Sequence, residues 1–386
     1  MTHRQRLLAV LRGEPYDRLP VVHFGFLEAT LRLWRDQGHL TDDEYRAALA
    51  GDGSAGEAVV ASRLGFDHNY HTIFAPHGGL RPGFEPRVIE ELPGGYRKVL
   101  TGNGAIQLQH PDNQSIPAEV DHLLKTRADW EQQFLPKLSW SAERVTHCGL
   151  RIPSATFDNI GAKAYLADPD HEFPVLLHAG SLFGAVRDLL GVEGMSYLQV
   201  DDPGLFAEII DTLADISYRN VELALQLGFV GDVGHFWEDI CFKTGPLVNP
   251  RVFRERVGPH YKRITSLMAS YGIDLVSLDC DGQVDTLLPI WLDNGVNVMF
   301  PIEVGTWDAH LTPWREQYGD RVKGVGGTNK KVFAQDYAAV DAEVERLRRI
   351  VDLGGYLPCP DHRLPHDNKW ENVQYYCDRM RAVLGG

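Results

Sequence analysis

Short apolar runs separated by helix-like segments set the pattern of this chain. The stretch from Gly228 to Gly305 is its most regular part, where GFVGDVGHFWEDI, IDLVSLDCDG and VNVMFPIEVG each carry an apolar run that ends in ionisable residues. His235, Glu238 and Asp239 follow the first run, Asp279, Cys280 and Asp281 the second, and Glu303 the third. Parallel strands covered on both faces read as near-continuous apolar runs, and their chemistry collects on loops at the C-terminal ends. The pattern therefore predicts acidic and imidazole groups converging on one cleft. Carboxylates also cap helices well, so for any single residue both readings stand.

The rest of the chain extends this alternation. Residues 2 to 13 read as a helix with Leu7, Leu8, Val10 and Leu11 on one side, ended by Gly13 and Pro15. Val21 to Phe24 then reads as a first core strand carrying His23. A helical pattern from Glu28 to Ala61 is broken by the GDGSAG linker, and LGFDHNYHTIF reads as a second short strand. The cluster of Asp67, His68, Asn69 and His71 within it is either a substrate-contacting loop, the preferred reading, or a turn bonded to its own backbone. Residues 84 to 110 switch to hairpin chemistry, with turns at Pro93-Gly94-Gly95 and Gly102-Asn103-Gly104. This predicts an antiparallel insertion over about 75–170.

FPVLLHAGSLFG reads as a buried strand with His178 and Ser181 at its mouth. A helix over 203–227, a strand around Phe229 to Val233 and an Asn249-capped helix starting at Pro250 follow. Further strands are expected at 274–278, 296–300, 322–325 and 355–357. The apolar runs near 21, 66, 174, 229, 274, 296, 322 and 355 number eight, which is the count that closes a parallel barrel.

Composition narrows the partners more than the fold. At 386 residues the chain suits one elaborated barrel domain, 1–386, and 44% apolar residues are enough for a substantial core. A net charge of −15 speaks against a nucleic-acid partner, since phosphate binding needs clustered Lys and Arg. No apolar run approaches the roughly 18 residues that cross a bilayer. The N-terminus has no secretory cleavage pattern, so a cytoplasmic protein without membrane contact is expected. Five cysteines without a CxxC pair fit a reducing compartment.

Ordered segments along nearly the whole chain resemble the uroporphyrinogen decarboxylase superfamily. They include RQRLLAVLRGEPYDRLPV, FEPRVIEE, IPAEVDHLLKTRADWE, GDVGHFWEDICFKTGPLVNPRVF, LDCDGQVDTLLPIWLDNGVNVMFPIE, YGDRVKGVGGTNKKVF and GGYLPCPDHRLPHDNKWENVQYY. The resemblance implies an α/β fold, a distorted (β/α)8 TIM-type barrel with one active-site cleft, in a homodimer. Tetrapyrrole decarboxylases of that superfamily carry an arginine-rich segment after the first strand, where this chain has HFGFLEATLRLW. The corrinoid-linked methyltransferases bind zinc through His-x-Cys and a later Cys. Alignment with that motif puts Asp279 and Asp281 at the first two positions and Cys359 near the third. Carboxylates in place of thiolate and imidazole widen the metal choice towards harder ions.

The expected function is demethylation of a small substrate, with the methyl group passed to a corrinoid protein. The alternative is a metal-free decarboxylase of a tetrapyrrole or other carboxylate. A non-catalytic binding role on a retained barrel is the third class. Asp279, Asp281, Glu303 and Cys359 are the candidate ligands for a zinc ion. His235, Glu238, Asp239, Asp281 and His362 are the candidate catalytic groups, and His23, Asp67, His68, His178, Asn329 and Lys330 the substrate contacts. GGTNKK reads as an anion cradle or a plain strand-to-helix turn, and CPDHRLPHD as an acid/base constellation or a polar lid loop.

Overall fold

The structure, a computed structural model, describes residues 1–111 and 117–385; Ile116, at the start of the IPAEVDHLLK segment, lies outside the described residues. A helix spans His3–Arg12. Thr2 accepts the Gln5 N–H while the Gln5 side chain accepts the Thr2 N–H, which satisfies two donors that a helix start leaves open. Gly13, at φ 71°, closes the helix in the left-handed conformation that glycine adopts without steric cost.

The core strands are β1 (Val22–His23), β2 (His68–Asn69), β3 (Ile73–Phe74), β4 (Leu176–Gly180) and β5 (Val233–Trp237). They continue as β6 (Val276–Asp279), β7 (Val298–Ile302), β8 (Lys323–Thr328) and β9 (Tyr356–Pro360). Seven of them form one parallel sheet in the order β9-β8-β7-β6-β5-β4-β3. β1 and β2 pair as a separate parallel ladder. β2 and β3 sit on one segment, which thus meets β1 with its first half and β4 with its second. A lone parallel bridge joins Phe26 to Leu364, just past β1 and β9. Helices Gly184–Asp201, Pro203–Leu227, Gly258–Ser270 and Tyr337–Val351 lie between these strands, and Trp370–Leu384 follows them. Every residue of β6, β7 and β9 is buried, which explains why the sequence reads there as unbroken apolar runs.

Arg87–Glu91, Arg97–Leu100, Ala105–Gln109 and Ala118–His122 form a four-stranded antiparallel sheet whose strands follow chain order. A second hairpin pairs Leu150–Ile152 with Ala155–Phe157. Among the described residues no helix is long and apolar enough to cross a membrane.

Several strands begin later than their apolar runs suggest. The expected strand at Phe229 to Val233 runs instead from Val233 to Trp237. Gly228 ends the preceding helix at φ 92°, and Phe229 belongs to that helix exit, its N–H bonded to Ala224 O. Asp232 then turns the chain into the strand by accepting the Val175 N–H at 2.8 Å. His235 is consequently mid-strand, not beyond its end. The helical stretch from Glu28 resolves into Glu28–Asp36, Asp42–Ala48 and Ala55–Leu64, with Thr41 and Ser54 capping the second and third.

One close approach makes a stability prediction. β7 and β8 slip register between Met299 and Ile302, and Gly326 there sits at φ 118°. A Cβ at this position would meet the Ile302 backbone nitrogen. Gly326→Ala is expected to cost about 2–4 kcal/mol, combining backbone strain with overpacking. Urea unfolding measures it, and an unchanged midpoint would mean that the two strands separate at little cost.

Candidate active site at the strand ends

A cavity of about 660 Å³ opens among the residues at and just beyond the C-terminal ends of the parallel strands. His178 on β4, His235 on β5 and Asp279 at the end of β6 line it, with Asp239, Asp281 and His362 from the following loops. Phe24, after β1, and His71, between β2 and β3, complete the inner wall. The hairpin at 150–157 contributes Leu150, Arg151, Thr156 and Phe157.

Two groups of side chains within this cavity have metal-ligating geometry. The donor atoms of His71, His235 and Asp279 lie within 4.8 Å of one another, and so do those of Asp239, Asp279 and Asp281. His71 Nε2 is 3.1 Å from Asp279 Oδ2, yet it is buried without an acceptably aligned hydrogen bond. The ring of His235 is fixed through Nδ1, 2.6 Å from Ser277 Oγ. That contact selects Nε2 as the nitrogen left for a ligand.

Burial dominates the electrostatics of the site. It holds the His235 imidazole well below its ordinary pKa, with His71 and His178 adding to the effect, and it holds His178, beside His71, down to about 4. Both are neutral at pH 7, the form that binds a metal. Burial, then the charges of Asp279 and Asp281, push Asp239 up to about 7. Asp279 is likewise raised by burial, although the His71 ring beside it opposes the shift. His362 lies 3.6 Å from Asp281; burial lowers its pKa, and the Asp281 contact more than offsets this.

The other expected site residues lie outside this lining. Glu238 is buried and accepts the N–H groups of Leu182, Phe183 and Gly184 at 2.8, 2.9 and 2.6 Å, together with the Tyr261 hydroxyl. Glu303 accepts from Gly282 N and Thr306 Oγ1. Cys359 is fully buried, and burial pushes its thiol pKa far up; it joins neither ligand group. His23 is buried with Nδ1 accepting the Gly25 N–H. Asp67 pairs with Arg18 and Arg381, and His68 packs against His3. Asn329 caps a short turn by accepting the Lys331 N–H, and Lys330 pairs with Asp361 at 3.3 Å.

Conversely, the cavity gains Trp237, Asp52, Arg151 and Arg363. Asp52 and Arg363 form a two-armed ion pair between positions 311 residues apart, for which no local pattern in the sequence gives a signal. His71 belongs to a visible polar cluster, but which member of that cluster faces inward depends on the bend between β2 and β3.

The fold is similar to that of a methyltransferase from Methanosarcina mazei, which aligns over 99% of both chains at 16% identity with a TM-score of 0.61. That likeness shows the fold alone, a mixed α/β architecture with a central parallel sheet, consistent with a TIM-type fold. A B12-independent methionine synthase from a Shewanella species overlaps more loosely, with a TM-score of 0.47 at 12% identity over 95% of this chain and 98% of the other. A putative vitamin-B12 independent methionine synthase from Listeria monocytogenes gives a TM-score of 0.40 at 12% identity over 96% of this chain and 99% of that one. No family model and no curated protein matches the chain.

Proposed function

We propose that this protein is a metal-dependent methyltransferase-like enzyme of the uroporphyrinogen decarboxylase-like superfamily. It would take a methyl group from a small substrate in the cavity and deliver it to a corrinoid carried by a partner protein. On this reading the seven-stranded sheet and the β1–β2 ladder close as one distorted (β/α)8 barrel, a single domain with an antiparallel insertion, in a cytoplasmic homodimer. The two-sided pairing of segment 68–74 and the Phe26–Leu364 bridge support the closure.

The observation that carries the metal reading is the unpartnered His71 Nε2 beside Asp279 and His235. A buried imidazole nitrogen without a hydrogen bond is costly, and a carboxylate with two imidazoles is a donor set that suits zinc. The residues present therefore fit the ion, with His71, His235 and Asp279 as its holders. When bound, such an ion supplies Lewis acidity. The chain's own contributions are distinct from that. Ser277 orients the His235 ring, Asp281 lies beside the Nε2 side of His362, and Phe24 and Phe300 pack edge-on against His71. The test has two parts: divalent metal measured on the purified protein, and methylcobalamin formation from cob(I)alamin and methyl donors, followed by absorbance. Protein without stoichiometric metal after growth in zinc-supplemented medium would overturn the proposal.

A tetrapyrrole decarboxylase finds less support in the charge of the cavity. Asp239, Asp279 and Asp281 face it, while Arg363 is taken by Asp52 and exposed Arg151 reaches Ala50 O. A substrate with many carboxylates would meet like charge. No coproporphyrinogen is therefore expected from uroporphyrinogen, as chromatography of the oxidised porphyrins would show. Sustained turnover would reverse this assignment.

A further inference from the structure

Trp237, the last residue of β5, lines the cavity and keeps 57% of its surface exposed. Its indole N–H donates to Asp239 Oδ2 at 3.0 Å. Asp239 itself has φ 48°, a left-handed conformation that a non-glycine residue holds only when its surroundings enforce it. The Arg187 guanidinium clamps the Asp239 carbonyl, and the Asp281 N–H donates to Asp239 Oδ1 at 3.1 Å. The backbone and carboxylate of Asp239 are thus tied down, and the carboxylate tethers the indole edge. What remains free is the indole face. Phe24 and Phe157 are the other aromatic rings lining the same cavity.

Carboxylates dominate the charge around this indole, although Arg151 lines the cavity and Arg187 lies behind Asp239 at its carbonyl. Asp239, Asp279 and Asp281 face the cavity, with His362 beside Asp281. Arg363 is bound by Asp52, and Arg151 extends to Ala50 O. A divalent ion on His71, His235 and Asp279 would still leave the Asp239 carboxylate without an ion pair among the described residues. Aromatic faces attract cations, and desolvated carboxylates favour them as well.

We propose that the cavity takes an N-methylated ammonium ion, seated on the Trp237 face with the Asp239 carboxylate beside it. This substrate class rests on the methyl-transfer reading above. Its nitrogen carries no lone pair, so the metal ion would not coordinate it. Transfer breaks one C–N bond, the electron pair stays on nitrogen, a neutral amine leaves, and the methyl group bonds to the electron pair of cob(I)alamin. No proton has to reach the leaving group.

The experiment is calorimetry on the metal-loaded full chain with tetramethylammonium and choline, against dimethylbutanol, the uncharged carbon isostere of choline. Choline is expected to bind about tenfold tighter than the isostere, within the range of a partly desolvated cation–π contact. Trp237→Leu should remove about that factor, Trp237→Phe should restore most of it, and Asp239→Asn should bring choline and isostere together. Circular dichroism melts confirm that the variants are folded. Equal binding of choline and isostere, no binding of either ammonium, or full choline affinity in Trp237→Leu would each overturn the substrate class. Because binding is read without turnover, a metal-loaded protein that ignores both ammonium ions sinks this inference alone. A metal-free protein that binds them sinks the methyl-transfer reading and leaves the ammonium site standing.

Discussion

Glu238→Leu is expected to destabilise the fold by about 4 kcal/mol or more, since each buried donor left unpaired costs about 1–3 kcal/mol. Glu238 receives three consecutive N–H groups, Leu182, Phe183 and Gly184, at the turn from β4 into the helix that starts at Gly184. The Tyr261 hydroxyl from helix Gly258–Ser270 adds a fourth donor. One carboxylate therefore ties β5 to two helices. Its own pKa is raised by burial, and the Tyr261 and backbone hydrogen bonds only partly reverse that. Leucine of similar volume would fill the space and accept nothing, stranding the four donors. Glu238→Gln keeps one acceptor oxygen and should lose about half as much, because a hydrogen bond to a neutral group is weaker than one to a charge. Urea unfolding of the two variants gives the comparison. A loss below about 1 kcal/mol for Glu238→Leu would mean that water or backbone shifts satisfy the turn instead.

The second large effect concerns the metal. Asp279→Ala and His235→Ala are each expected to lower divalent-ion affinity more than 100-fold, above the roughly 10–100-fold that outer partners contribute. Ser277→Ala, which frees only the His235 ring, should fall within that lower range. Cys359→Ala should leave metal content unchanged, because its fully buried thiol belongs to neither ligand group. Competition with a chromophoric chelator measures all four. Retention of stoichiometric metal by Asp279→Ala, or its loss from Cys359→Ala, would move the ligand set back towards the one that the sequence motif suggests.

That contrast shows where the sequence is readable and where it is not. The apolar runs locate the parallel strands because burial on both faces removes polar residues from them, and the carboxylates at their ends mark the cavity. The same double burial erases the alternation that would say which way a side chain points. Within β9 all of Tyr356 to Pro360 are buried, so nothing local distinguishes a Cys359 facing the cavity from one packed away from it. Glu303 and Glu238 look like their neighbours Asp281 and Asp239, and only the tertiary structure reveals which carboxylates are consumed by backbone donors. Asp52 and Arg363 meet across 311 positions, and a pairing of that range leaves no periodic trace. A strand starts later than its apolar run where a helix exit such as Phe229 is itself apolar.

The hairpin at 150–157 has a consequence for how such a molecule can change. It forms no part of the parallel sheet, yet Leu150, Arg151, Thr156 and Phe157 wall the cavity. This part of the cavity wall and the His178, His235 and Asp279 side chains therefore belong to separate structural modules, the first carried on a short hairpin and the second anchored in strands. Exchanging the hairpin alone would reshape that wall and leave the strand-borne side chains where they are.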